Sequence, residues 1–307
     1  MSFISVVIPV YGAEATLPVL YDRLRSVLDT LGKDFEIVLV DDRSADRSWA
    51  VIQDIAARDS RVKGLRLSRN FGQHHAITAG IDACRGEWVV VMDCDLQDAP
   101  EDIPRLYGKA LEGYDVVLGR REWSGEHAFR RMVSRVFYRM FAYLTDTKWD
   151  SRVGVYRIMS KEVVTELRTM REQLRFLSGL VEWMGFPTAS IDVQRGERHD
   201  GRSHYTVRKL LRLGGGAIVA HSDKPLRLAM AFGFAISAMA MAFMGFIVWR
   251  ALRHGNPITG WSSLMAVTLF LGGVLISLAG VLGVYLGKVF DEVKGRPLYI
   301  VRERANL

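Results

Sequence analysis

Trp88-Val89-Val90-Val91-Met92 runs directly into Asp93-Cys94-Asp95-Leu96-Gln97-Asp98. An unbroken, valine-rich apolar run of this length reads as a strand buried on both faces. Carboxylates crowd its carboxyl end, and they repel one another unless something positive joins them. A hard divalent cation with oxygen ligands, Mg²⁺ or Mn²⁺, is the natural partner. Mg²⁺ takes one or two carboxylates and completes its shell with water and substrate phosphates. Asp93-x-Asp95 directly after a buried strand therefore reads as a metal–diphosphate clamp. The competing reading is a solvated acidic turn capping a helix near Pro104, and Asp98 suits such a cap.

Working outward, short apolar runs at Ile4–Pro9, Phe35–Val40, Val62–Leu67 and Val116–Gly119 also read as strands. Helical patterns fall between them, at Ala15–Leu31, Ser48–Arg58, Gln73–Cys84 and Ile103–Leu111. Strand and helix in alternation predict an α/β domain with a largely parallel sheet. Such sheets bind ligands at the carboxyl ends of their strands. A second acidic group, Asp41-Asp42-Arg43-Ser44, stands at one of those ends. Neither GxGxxG nor GxxxxGK[ST] occurs, so a dinucleotide site and a P-loop both lack their signature. His74 and His75 are adjacent on a helix, about 100° apart, and make a poor chelating pair; packing or substrate contact suits them better.

The last third of the chain has a different solvent. Between Lys224 and Phe290 there is no Asp or Glu. Leu228–Trp249 is uncharged and about 33 Å long as a helix, enough to cross a hydrocarbon core of about 30 Å. Leu264–Leu286 is equally uncharged. The connection Arg250–Gly260 is short and holds Asn256-Pro257, so the pair reads as a hairpin. Lys and Arg concentrate before the first span and after the second, which predicts both ends on the cytoplasmic side. Tyr205–Ala220 reads as an interfacial helix leading into the bilayer. Gly272, Gly273, Gly280, Gly283 and Gly287 allow close helix packing, including between chains of a homo-oligomer.

With 41 Lys and Arg against 34 Asp and Glu, the formal charge is +7. The basic excess clusters near the apolar segments, so a membrane surface or a phosphate substrate fits better than nucleic acid. Cys84 and Cys94 form no CxxC, which excludes a zinc finger and a disulfide scaffold and suits a reducing compartment. The amino terminus lacks the pattern of a signal peptide.

The ordered set Val6-Val7-Ile8-Pro9-Val10-Tyr11, Val40-Asp41-Asp42-Arg43-Ser44, Asn70-Phe71-Gly72-Gln73-His74 and Asp93-Cys94-Asp95-Leu96-Gln97-Asp98 resembles the family 2 glycosyltransferases with the GT-A fold. It is most similar to the polyprenyl-phosphate glycosyltransferases. Gly283-Val284-Tyr285-Leu286-Gly287-Lys288 and Arg296-Pro297-Leu298-Tyr299-Ile300-Val301 resemble the end of the bacterial two-span members. The resemblance implies that Pro9, Tyr11 and Glu14 line a nucleobase pocket, with Asp41 or Asp42 on base or ribose. It implies that Asp93 and Asp95 are catalytic and, with Gln97, hold metal and diphosphate. It places Arg130, Ser134, Arg198, Arg202 and Ser203 at the acceptor phosphate.

One of these roles has independent support. In Phe129–Leu144, apolar residues line one helical face and Arg130, Arg131, Ser134, Arg135 and Arg139 the other. A basic amphipathic helix suits an anionic membrane surface, although a solvated basic face has the same pattern. The chain also departs from the family. Arg43 replaces a glycine, His204 replaces a lysine, and Val155 in Val153-Gly154-Val155-Tyr156-Arg157 replaces an aspartate that is a candidate base. Transfer to an alcohol needs a base. A phosphate monoester is already largely dianionic at neutral pH, so Val155 favours a phosphate acceptor. Asp150 and Asp95 are the alternative bases.

These readings divide the chain into a cytoplasmic GT-A domain (1–204), an interfacial segment (205–225), a first spanning helix (226–250), an extracytoplasmic loop (251–261), a second spanning helix (262–287) and a cytoplasmic tail (288–307). The expected activity is metal-dependent, inverting transfer from a nucleotide diphosphate sugar to undecaprenyl phosphate at the bacterial inner membrane. The alternatives are transfer to a glycolipid or polysaccharide hydroxyl, and an inactive sugar-nucleotide-binding scaffold.

Overall fold

The computed structural model describes residues 3–121, 152–193, 224–254 and 260–307. They fall in two units: an α/β sheet domain, which includes residues 296–307, and a helical hairpin. The basic helix expected over 129–144 and the interfacial segment expected over 205–220 lie outside the described residues.

The sheet domain begins with β1 (Ile4–Val10), α1 (Leu17–Thr30), β2 (Phe35–Asp41), α2 (Ser48–Arg58), β3 (Val62–Leu67), α3 (Gln73–Ala83) and β4 (Trp88–Val91). These strands pair in parallel in the order β4-β1-β2-β3. Both β1 and β2 are buried along their whole length, which is why they read as continuous apolar runs rather than alternating ones. Helix α1 buries Leu17, Leu20, Leu24 and Leu28, the three- and four-residue spacing of a single helical face. Helix α3 lies so close to the sheet that a Cβ on Gly80 would fall 2.3 Å from Val7 Cγ1.

After α4 (Ile103–Ala110) come β5 (Val116–Arg121), β6 (Val153–Ser160), α5 (Lys161–Thr169), α6 (Leu177–Met184) and β7 (Thr188–Val193). Among the described residues the sheet has eight strands in the order β7-β5-β6-β4-β1-β2-β3-β8. It is mixed rather than largely parallel at its flanks. Strand β6 runs antiparallel between β4 and β5, and β8 (Val301–Ala305) runs antiparallel along β3. The stretch read from sequence as a basic tail thus contains an edge strand of the sheet. Asn306 locks it further, donating from Nδ2 to Ala56 O at 2.6 Å and Val62 O at 2.9 Å.

The hairpin unit holds α7 (Lys224–His254) and α8 (Trp261–Val293). At 1.5 Å per residue they are about 46 Å and 50 Å long. Both are long and apolar enough to cross a membrane. A Cβ built on Gly233 meets Leu278 Cδ1 at 3.5 Å, whereas Gly272, Gly273, Gly280, Gly283 and Gly287 meet nothing within 4 Å. Among the described residues these second-span glycines have no close partner within the hairpin.

Candidate active site

The carboxyl ends of β1, β2 and β4 carry the loops singled out from sequence. In the β4 loop, Asp93 and Asp95 are half-buried. Gln73 Nε2 donates to Asp93 Oδ1 at 2.6 Å, and Gln97 N donates to Asp95 Oδ1 at 3.1 Å. Leu96 takes φ +62°, which lets the chain turn back between the two. Gln97 is buried, so it forms the floor of this loop more than its rim. Asp98 is also buried, and Asp93 N approaches Asp98 Oδ2 at 3.5 Å. The residues at the amino ends of the next helical turns are Ala99 and Asp102. Asp98 is therefore not the helix cap that the alternative reading made of it; it folds inward against its own loop. Tyr156 Oη donates to Ala99 O at 2.8 Å and ties the loop to β6.

The donors offered at the end of β4 are carboxylate oxygens. Among the described residues no group of three or more His, Cys, Asp or Glu comes together as a protein-only cage. Such a set suits a hard cation that completes its shell with water and phosphate, and it does not suit zinc.

In the β2 loop, Asp41 is fully buried. Its Oδ1 accepts from Ser44 N at 2.9 Å, and its Oδ2 lies 3.2 Å from Arg66 Nε, too far out of line for a hydrogen bond. Asp42 is consumed by architecture: its two oxygens accept from Phe71 N at 2.7 Å and Gly72 N at 2.8 Å. Burial raises its pKa, and those two amide bonds oppose the rise. Gly72 has φ +100° and leads into α3, a conformation that favours glycine. Arg43, where the family has glycine, has φ +61°. Arg43 thus adopts a left-handed turn without being glycine.

Pro9 is buried within β1, Tyr11 is 60% exposed and Glu14 is half-buried. The β1 and β2 loops are stitched together. Ser44 Oγ accepts from Gly12 N at 3.1 Å, Ser48 Oγ from Ala13 N at 2.9 Å, and Glu14 Oε2 from Arg47 N at 3.1 Å. Of the sequence-derived candidates, the structure brings Tyr11, Glu14, Asp41 and Asp42 onto one pair of bonded loops. Arg130, Ser134, Arg198, Arg202 and Ser203 lie outside the described residues, as do Asp150 and His204.

One buried charge escaped the sequence reading. Arg157 is fully buried on β6 and donates to Gly154 O at 2.7 Å, Val155 O at 3.0 Å and Ser178 Oγ at 2.6 Å. Burial lowers its pKa to about 10. It fixes the backbone of half-buried Val155. The β4–β6 register pairs Val91, two residues before Asp93, with Arg157, two residues after Val155. The signal was a lone charge inside the apolar run of β6. His74, read from sequence as packing or substrate contact, meets Phe176 edge-on at 5.7 Å, and among the described residues its buried Nδ1 has no hydrogen-bond partner. Burial first, then the nearby Arg157 charge, lowers its pKa to about 4.

A mixed α/β sheet with an acidic pair at the end of β4 and bonded loops beside it is the GT-A arrangement of sugar-nucleotide-dependent transferases. The model of glycosyl transferase family 2 matches residues 5–168, and the chain belongs to that family. It is 35% identical over 301 residues to the bactoprenol glucosyl transferase of Shigella phage SfII, covering 98% of this chain and 97% of that one. It is 35% identical over 307 residues to the undecaprenyl-phosphate 4-deoxy-4-formamido-L-arabinose transferase of Shewanella sediminis, covering 99% and 92%. A glucosyl-3-phosphoglycerate synthase of Mycobacterium tuberculosis, solved with Mn²⁺ and UDP, shares the fold with a TM-score of 0.52 at 20% identity, covering 71% of this chain and 78% of that one.

Proposed function

We propose that this chain transfers a sugar, with inversion, from a nucleotide diphosphate sugar to a polyprenyl phosphate such as undecaprenyl phosphate. The reaction would occur on the cytoplasmic face of a bacterial inner membrane. The observation that carries this reading is the joint presence, in one chain, of the Asp93/Asp95 pair at the end of β4 and two helices long enough to span a bilayer. The names of the bacterial and phage relatives support the acceptor class.

Asp93 and Asp95, with Gln97 beneath them, would hold Mg²⁺ or Mn²⁺. The bound cation offsets the charge that develops on the departing diphosphate. Tyr11 and Glu14 would border the nucleobase, with Asp41 and Asp42 holding the loops that carry them. Val155, on the strand next to β4, cannot take a proton. The acceptor phosphate is already a dianion above its second pKa of about 6, so it needs positioning more than deprotonation. Arg130, Ser134, Arg198, Arg202 and Ser203 are assigned to that positioning. The charge bias of the flanks favours Arg250–Gly260 outside and both termini inside; an Asn256→Cys variant should label from the periplasmic side, and labelling of cysteines at residues 2 or 305 instead would reverse this orientation.

The deciding experiment supplies a short polyprenyl phosphate and the matching polyprenol side by side, with labelled nucleotide sugars. Transfer should be confined to the phosphate, and Arg130→Ala should impair acceptor use more than donor binding. Equal transfer to the alcohol would favour a hydroxyl acceptor. Donor binding without transfer to any lipid would favour the scaffold.

A further inference from the structure

Asp41, Arg66 and Glu303 stand directly across three neighbouring strands. Asp41 is paired with Arg66 in the β2–β3 register, and Arg66 with Glu303 in the β3–β8 register. Residues so placed are cross-strand neighbours, and here an acid, a base and an acid fall in a row. Arg66 Nε lies 3.2 Å from Asp41 Oδ2, and Arg66 Nη1 donates to Glu303 Oε1 at 2.9 Å. The other Glu303 oxygen accepts from Trp49 Nε1 at 2.8 Å, and the Arg66 guanidinium lies over the Trp49 ring at 5.8 Å. The row continues inward. Asp41 Oδ1 accepts from Ser44 N, and Ser44 Oγ accepts from Gly12 N beside Tyr11.

We propose that Glu303 is a positioning residue for the nucleotide half of the donor, acting through Arg66 and Asp41 on the loops around Tyr11 and Arg43. This rests on the reading of those loops as the nucleotide pocket. Asp41 is fully buried, and a buried carboxylate is costly without a compensating charge. Arg66 supplies that charge from a side chain that is partly open to solvent. Glu303 and Trp49 hold Arg66 in place. Without Glu303, Arg66 is free to swing into water, and the Asp41–Ser44 turn loses its fixed partner. That turn already holds Arg43 in a strained left-handed conformation, so it relaxes first. Glu303 lies after both apolar helices in the sequence. The nucleotide pocket is therefore completed by a segment that the chain makes only after its membrane hairpin.

The test uses the full-length protein in detergent with Mn²⁺. Uridine, guanosine, adenosine and cytidine diphosphates are titrated calorimetrically into wild type, Glu303→Ala, Glu303→Gln and a control on the same strand, Arg304→Ala. The nucleotide that wild type binds should bind Glu303→Ala roughly 5- to 20-fold more weakly, within the range of coupling between contacting residues. Glu303→Gln keeps an oxygen for Trp49 but loses the charge, and it should be intermediate. Arg304→Ala should match wild type. In turnover, donor KM should rise while kcat and acceptor KM hold. If Glu303→Ala does not fold, Glu303→Gln is judged by the same criteria. Unchanged affinity in folded Glu303 variants, or a lowered Tm with no change in donor KM, would leave β8 a structural strand and overturn the proposal alone. A wild-type protein that binds none of the four nucleotides would overturn the pocket itself, and this proposal with it.

Discussion

Replacing Arg43 by glycine should stabilise the sheet domain. Arg43 sits in the turn after β2 with φ +61°. A non-glycine residue in the left-handed region costs roughly 1–2 kcal/mol. Glycine removes that strain but gives the unfolded chain more freedom, worth about 0.4–1 kcal/mol. The difference favours Arg43→Gly by about 0.5–1 kcal/mol. For a domain of this size, 1 kcal/mol moves Tm by about 2–4 °C, so a rise of about 1–4 °C is expected. Among the described residues no hydrogen bond or ion pair holds the Arg43 side chain, so little stabilisation is lost with it. The assay is thermal unfolding of the purified full-length protein, followed by tryptophan fluorescence, for Arg43→Gly and Arg43→Ala together. Alanine keeps the backbone strain and removes the side chain, so it should not rise. A lower Tm for the glycine variant, or equal gains for both, would show that side-chain contacts rather than backbone strain set the energy of this turn. Donor KM measured on the same samples reports separately whether the arginine charge assists the nucleotide.

Other outcomes follow from the same geometry. Asp95→Asn should lower kcat by about 10²–10³ while leaving the unfolding curve in place, because an amide cannot replace the carboxylate charge at the diphosphate; near-normal turnover would remove the clamp. Gly80→Ala should cost about 1–3 kcal/mol through overpacking, since its Cβ would fall 2.3 Å from Val7 Cγ1, and an unchanged Tm would show that α3 can move off the sheet. Burial holds His74 at about pKa 4, below the usual 6.5 of a histidine. Between those values the unfolded state binds more protons, so stability falls as pH drops from about 6.5 to 4, by at most about 3 kcal/mol from this group. His74→Leu should flatten that part of the pH–Tm curve, and identical slopes would refute the assignment.

Much of this protein was legible along the chain. The runs at Ile4–Val10, Phe35–Asp41 and Trp88–Val91 are continuous and apolar because both faces of those strands are covered, and a short window suffices to see that. The two long apolar helices were equally legible, since length and lack of charge can be read from a single stretch. Asp93 and Asp95 could be found because β4 points them at the end of the sheet where ligands bind. Strand β6 was missed because its place between β4 and β5 is made by partners distant in sequence, and because Arg157 interrupts its apolar pattern. Strand β8 was missed for a related reason. Val301-Arg302-Glu303-Arg304-Ala305 alternates half-buried with exposed positions, as an edge strand does, but its charges read as a solvated tail until β3 lies beside it. The division of labour between Asp41 and Asp42 was likewise out of reach, because it depends on which amides meet them: Phe71 and Gly72 for one, Ser44 for the other, with Arg66 alongside. Periodicity and local chemistry determine elements and the residues at their ends. Register, and the burial of a charge against a partner far along the chain, are properties of the folded sheet alone.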